Sequence, residues 1–152
     1  MGKIISFKPE LAHVFRDLNL DWLQQYFYVE PHDEELLGQC EEVIINKGGY
    51  IFFYEEDAEI LGTFALIKIS ENDYELGKMA VDKKYRGKGI GQKMMRFCIE
   101  FSQKKHWKRL ILYSNTSLEK SIYMYRKYGF KEIPIEHNNP YARGNIKMEL
   151  LL

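Results

Sequence analysis

Apolar positions along this chain follow two rhythms, a helical one near the beginning and a strand-like one that takes over at mid-chain. Ile4 to Phe7 reads as a short first strand. Pro9 suits a first helical turn, and Leu11, Val14, Phe15 and Leu18 follow at helical spacing. Leu20, Trp22, Leu23, Tyr26 and Phe27 continue that helix or begin a second one. Pro31 opens another helical stretch, through Leu36, Leu37 and Cys40 to Ile44, which Gly48 and Gly49 end. Tyr50 to Tyr54 is aromatic and β-branched, Ile60 to Ile69 makes a second such run, and Tyr74 to Val81 a third. Short polar turns at Glu56-Asp57 and Ser70 to Asp73 join them into an antiparallel meander.

Helices and strands then alternate. Gly89 to Lys105 carries Ile90, Met94, Phe97, Cys98 and Phe101 on one helical face. Leu110 to Tyr113 is a short buried strand, and Leu118 to Tyr128 a helix that Gly129 stops. Phe130 to Ile135 and Asn145 to Leu152 close the chain as strands. A meander followed by βαβ alternation predicts an α/β (α+β) fold, with a mixed, mostly antiparallel central sheet flanked by helices. No linker, repeat or low-complexity stretch interrupts it, so one domain over residues 1–152 is expected.

Composition narrows the function classes. Lysine plus arginine balance aspartate plus glutamate, 22 against 22, so no whole-chain field favours nucleic acid or an anionic membrane. No apolar run approaches a bilayer-crossing length, and the first residues lack the long apolar core of a leader. The two cysteines, Cys40 and Cys98, sit among apolar residues and read as buried free thiols. A cytoplasmic protein without a metal site is expected.

The segment richest in chemistry is Tyr85-Arg86-Gly87-Lys88-Gly89-Ile90-Gly91-Gln92, between a strand and an amphipathic helix. Its glycines let the backbone turn tightly and let a bulky anion approach the amides. The amides that follow open a helix, where unpaired N–H groups favour negative charge. Lys83, Lys84, Arg86, Lys88 and Lys93 surround this phosphate cradle. A Walker loop is excluded because Gly89, and neither Ser nor Thr, follows Lys88. The dinucleotide fingerprint is excluded because Gly87, Gly89 and Gly91 are evenly spaced.

Arg86 to Gly91 resembles the Q/R-x-x-G-x-G/A motif of the GNAT superfamily of N-acetyltransferases. Glu75 to Val81 resembles the strand before that motif, Asn115 follows the next strand, and Ser121 to Phe130 resembles the family's A-x-x-L-Y-x-x-x-G-F helix ending. The match runs from about Tyr74 to Ile135 in the family's order and spacing. Tyr141 to Met148 resembles the Y-x-R-x-N-I-x-M ending of a bacterial subgroup of small single-domain members.

The resemblance implies acetyl-CoA as co-substrate, its pyrophosphate on the amides of Gly87, Lys88, Gly89, Ile90, Gly91 and Gln92 beside Arg86. It implies an extended cofactor arm along Met79, Ala80 and Val81, in the manner of an added strand. Amides near Met79 and Ala80 would hold the charge that grows on the thioester oxygen. Asn115 and Ser121 match positions at the cofactor arm, although a strand-end turn suits an asparagine and close helix packing a serine. Tyr125 matches the general acid that protonates the departing thiolate, while aromatic residues at helical spacing also serve as core. Glu75 matches an acidic position able to act as general base, and equally suits a surface strand carboxylate. Glu30 and Tyr141 are secondary candidates for the base, and His137 reads as an exposed loop residue. Arg143 suits a substrate carboxylate or plain solvation. Trp22, Tyr26 and Glu30 lie where the family builds its substrate wall.

The implied activity is transfer of acetyl to a primary amine, of a small molecule or of a protein lysine or N-terminus, with no nucleic-acid or membrane partner. A homodimer is compatible. The rival reading, an inactive acetyl-CoA-binding sensor, would show a lost Tyr125 or a broken loop, and this sequence has neither. Binding to nucleic acid through Lys83 to Lys93 sits poorly with zero net charge.

Overall fold

In the computed structural model, which describes residues 2–152, the strands form one seven-stranded sheet. They are β1 (Lys3–Ser6), β2 (Tyr50–Glu56), β3 (Glu59–Lys68), β4 (Asp73–Val81), β5 (Arg109–Ser114), β6 (Lys131–Ile133) and β7 (Ile146–Leu151). Their order is β1-β2-β3-β4-β5-β7-β6, and every pairing is antiparallel except that of β4 with β5. The helices are α1 (Ala12–Tyr26), α2 (Pro31–Gly38), α3 (Ile90–Lys104) and α4 (Glu119–Lys127). The mixed, mostly antiparallel architecture expected from the sequence is the one found.

Both faces of the meander are buried, which is why its strands read as near-continuous apolar runs. Ile51 and Phe53 of β2 point into a core with α1 and α2, centred on Phe15, Leu23 and Leu37. Phe52 and Tyr54, on the opposite face, join α3 through Met94, Met95 and Cys98. Phe53 and Phe64 are wholly enclosed, and such burial is worth roughly 1.5–3 kcal/mol per side chain.

Three boundaries differ from the sequence expectation. Pro9–Leu11 forms a separate tight turn, after which a single helix runs unbroken to Tyr26. The stretch from Pro31 does not continue to Ile44. It stops at Gly38, where helix propensity is poor, and resumes as a wide π-helical turn over Glu41–Ile45, closed by Asn46 N–H donating to the Glu41 carbonyl at 2.8 Å. The strand expected to reach Ile135 ends at Ile133, because Pro134 has no N–H to offer a ladder.

The feature that positions the site is the parallel pair. β4 and β5 are in register only over Asp73–Glu75 against Arg109–Ile111. At that closed end Tyr74 stacks on Trp107, with centroids 3.5 Å apart. Beyond it, Leu76–Val81 and Leu112–Ser114 face each other without pairing, so the sheet opens like a wedge.

Candidate active site

A cavity of about 250 Å³ fills this wedge. Glu75 to Val81 of β4 form one wall, Leu112 to Asn115 the other, and α1, α4 and the 141–144 loop complete it. Glu75, Met79, Ala80, Val81, Arg86, Gly91, Asn115, Ser121 and Tyr125, picked out from sequence, all line it.

The β4 wall is distorted. Ala80 faces Thr63 and Gly77 faces Ala65, so Lys78 and Met79 together oppose Phe64 alone. Such a bulge takes a residue out of the ladder and re-aims its neighbours. It is centred on Lys78, whose φ of 54° lies in the left-handed region, a conformation costing a non-glycine residue roughly 1–2 kcal/mol. The Lys78 ammonium offsets this by pairing with Asp33 of α2 and lying 4.7 Å from the Tyr141 ring centroid. No sequence signal marks Lys78, since a lysine inside a strand ordinarily points to water.

At the other end of β4, Gly87 and Gly89 adopt φ of 79° and 82°, which explains why glycine is needed there. A Cβ at either position would meet no atom within 4 Å, so the loop presents open backbone. Gly89 caps α3, and the first amides of a helix have no partner within it. Ile90 points its side chain into the core, so only its backbone faces a ligand. Arg86 is not a free cation over the loop. Its Nε donates to the Val81 carbonyl at 3.0 Å and its NH1 to Gln25 Oε1 at 2.8 Å, tying the loop to α1. Gln92 accepts bonds from Lys127 and Tyr128, Lys93 reaches the Tyr54 hydroxyl at 3.3 Å, and Lys83, Lys84, Lys88 and Lys93 of the basic rim are all exposed.

Glu75 is buried, 8% exposed, and accepts a hydrogen bond from the Tyr141 hydroxyl at 3.1 Å. Burial pushes its carboxyl up to about 7, against the opposing pull of Tyr141 and Lys78. This is a buried titratable group, not the surface carboxylate that strand position also allowed. Across the wedge, the Tyr125 ring is half-buried, 6.0 Å from Phe130. Burial raises its phenol to about 12, and the Ser114 and Ser121 hydroxyls partly offset the rise.

Asn115 holds the turn after β5. Its Oδ1 accepts from Ser117 N–H at 2.9 Å and its Nδ2 donates to the Arg143 carbonyl at 2.7 Å. Ser121 lines the cavity from α4. Of the secondary candidates, Tyr141 serves Glu75 directly, whereas both oxygens of Glu30 are engaged by the Arg143 segment. His137 is exposed. Trp22 lines the cavity, and Tyr26, 45% exposed, packs against it in a tilted arrangement with ring centroids 5.2 Å apart.

Arg143 is neither solvated nor free to bind a ligand. Its guanidinium reaches Glu30 at 2.9 Å and grips Asp33 at 2.6 and 2.9 Å. The bonds to Arg143 and Lys78 outweigh burial and hold Asp33 down at about 2. A carboxyl depressed from 3.8 contributes stability that is complete above that value and lost as the pH falls towards 2. Arg143→Ala leaves two buried carboxylates without their main partner, which ordinarily costs roughly 3–5 kcal/mol. Urea unfolding at neutral pH is expected to show that loss; a change near zero would mean that water replaces the guanidinium at once.

The sequence matches the Acetyltransferase (GNAT) family over residues 13–130, well over half the chain. The chain belongs to the GNAT acetyltransferase family. It is similar to N-acetylaspartate synthetase of Xenopus tropicalis, 28% identical over 137 residues, covering 88% of this chain and 45% of that protein. The chain thus spans less than half the length of this curated relative. A GNAT acetyltransferase of Staphylococcus aureus shares the fold, with a TM-score of 0.87 over 99% of both chains at 23% identity. A GNAT acetyltransferase of Elizabethkingia anophelis, solved with acetyl-CoA bound, matches 99% of this chain and 98% of its own with a TM-score of 0.72 and 21% identity.

The GNAT wedge fits acetyl-CoA on its own geometry: an open strand edge for an extended arm, and open glycine backbone before a helix for phosphates. Proline at Met79 removes an amide from that edge. Met79→Pro is therefore expected to abolish acetyl-CoA binding in calorimetry, and undiminished binding would place the arm elsewhere.

Proposed function

We propose that this chain is an acetyl-CoA-dependent N-acetyltransferase acting on the primary amine of a small molecule. One observation carries the reading: a titratable carboxyl and a buried phenol, Glu75 and Tyr125, line the same strand-edged cavity. The name of the N-acetylaspartate relative offers an amino acid as one kind of acceptor, and the class taken here is the broader one of small primary amines.

Acetyl-CoA supplies an acetyl group already activated as a thioester. The amides from Gly87 to Gln92 hold the diphosphate, and the β4 edge from Met79 to Val81 aligns the arm. Amides at the Lys78 bulge stabilise the charge that develops on the carbonyl oxygen. Most amines are protonated at neutral pH and must lose a proton before attack. Glu75 accepts it, with a carboxyl whose value near 7 suits the task. Tyr125 gives its proton to the departing sulfur. A thiol shielded from water is also harder to ionise, as the core Cys98 thiol, pushed by burial to about 12, illustrates. Phenol and thiol are then near enough in acidity for the transfer to proceed.

The test is product detection. Incubation with acetyl-CoA and a mixture of small amines, amino acids, polyamines and lysine peptides should yield an acetylated small amine by mass spectrometry. Bound acetyl-CoA with no acetylated product from any acceptor would favour a sensor.

A further inference from the structure

Three segments of the site meet on the wholly buried carboxylate of Asp33. From its own helix, α2, it accepts the Glu30 N–H at 2.9 Å. From the 141–144 loop it accepts both terminal nitrogens of Arg143, at 2.6 and 2.9 Å. From β4 it accepts the ammonium of Lys78, a side chain only 4% exposed. Lys78 is also where β4 leaves its ladder. Its φ of 54° is a conformation that glycine adopts freely and asparagine tolerates, whereas a lysine is strained in it. What a lysine adds there is reach, a long stem that carries its charge from the bulge to α2. A buried ion group is weak evidence for stability, because apolar side chains of similar bulk serve folding as well. Backbone strain held in place by surrounding contacts points instead to function. The far end of the tether is itself fixed. Arg143 grips Asp33 through two nitrogens, and Asn115 Nδ2 anchors the Arg143 carbonyl at 2.7 Å.

We propose that the Lys78–Asp33 pair is a positioning device for acetyl transfer, pinning the β4 bulge to α2 so that the bulge amides meet the thioester oxygen in the transition state. The inference rests on the transferase reading. Amides aimed at developing charge are effective when they are already in place and need not move as the reaction proceeds. Lys78 and Met79 together oppose Phe64 alone, so the ladder leaves this stretch of β4 under-constrained. The ion pair supplies the missing constraint from a helix 45 positions away in sequence. It makes no bond to the loop from Gly87 to Gly91, so it bears on rate and not on how tightly the cofactor's phosphates are held. Lys78 and Asp33 are positioning residues, acting through the backbone of the bulge.

Lys78→Gly separates this role from folding, because glycine accepts the positive φ and Arg143 still holds Asp33. The variant is expected to melt near the wild-type temperature and to bind acetyl-CoA in calorimetry with a Kd within about twofold of wild type. Thiol release from saturating acetyl-CoA is measured with a mixture of small amines, amino acids, polyamines and lysine peptides as acceptors. That rate is expected to fall about ten- to a hundredfold, the scale of a misplacement near the reacting atoms. Lys78→Asn repeats the measurement without glycine's added freedom and is expected to give the same split between rate and affinity. Wild-type rates in both variants overturn the inference alone. So does a fall in rate matched by weaker acetyl-CoA binding, which makes the pair part of the cofactor site. A melting temperature far below wild type in both variants makes the pair a prop for folding and overturns it too. Acetyl-CoA binding without thiol release from the wild type, whatever the acceptor, overturns the transferase reading and this inference with it.

Discussion

Tyr125→Phe is expected to lower kcat by about a hundred- to a thousandfold, the usual worth of a positioned proton donor, with KM for acetyl-CoA nearly unchanged. The substitution removes one oxygen from α4 and leaves the ring in its contact with Phe130, so the cavity keeps its shape. What is lost is the proton that meets the departing sulfur. Because burial raises the phenol to about 12, wild-type activity should show no falling limb from Tyr125 ionisation below that pH. If kcat is unchanged, Tyr125 is a packing residue and the thiolate leaves unassisted or takes its proton from water. If KM for acetyl-CoA rises while kcat holds, the hydroxyl binds the cofactor arm and does no acid chemistry. The two outcomes separate cleanly in steady-state kinetics.

Glu75→Gln carries the second large effect, and it moves activity and stability in opposite directions. In the wild type, kcat/KM should rise with pH through a midpoint near 7, as the carboxyl ionises and becomes able to accept a proton. The glutamine variant should lose that limb and run about a hundredfold or more slower at neutral pH. Folding gains from the same change. The carboxyl is raised from 4.5 to about 7 in the folded chain, so its contribution to stability is complete below 4.5 and is lost as pH rises through 7. Above pH 7 the folded protein holds a charge that burial disfavours, at a cost on the order of 3 kcal/mol. A glutamine carries no charge and still offers an oxygen to the Tyr141 hydroxyl. The variant is therefore expected to melt higher than wild type at pH 8, with the difference shrinking as the pH approaches 4.5. A variant as active as wild type with the limb intact would place the base elsewhere.

The sequence exposes the frame of this site far better than its chemistry of charge. The glycines at 87 and 89 signal themselves, since their positive φ values admit little else, and the helix after them follows from its apolar stripe. The strands of the meander are equally legible, because burial on two faces writes apolar runs into β2 and β3. The wedge is less so. Parallel pairing confined to Asp73–Glu75 arises from the bulge at Lys78 and from helices packed on both faces, and neither leaves a local pattern. Arg143 and Asp33 are 110 positions apart, and nothing near either residue announces the other. Asp33 reads locally as an acid in the first turn of a helix, and it does accept the Glu30 N–H at 2.9 Å. Its larger role, gripping Arg143 and Lys78, depends on three segments meeting. Glu75 shows the same limit from the other side: its position in the strand is plain, while its burial against Tyr141 comes from a loop 66 residues away.

The most direct test of the central claim is thiol release from acetyl-CoA, followed with and without added amines, for wild type and Tyr125→Phe side by side. The expected result is release that depends on an amine in the wild type and falls by two orders of magnitude or more in the variant. Release that is absent with every amine, or equal in the two proteins, would contradict the assignment of the β4–β5 cleft as an acetyl-transfer site worked by Tyr125.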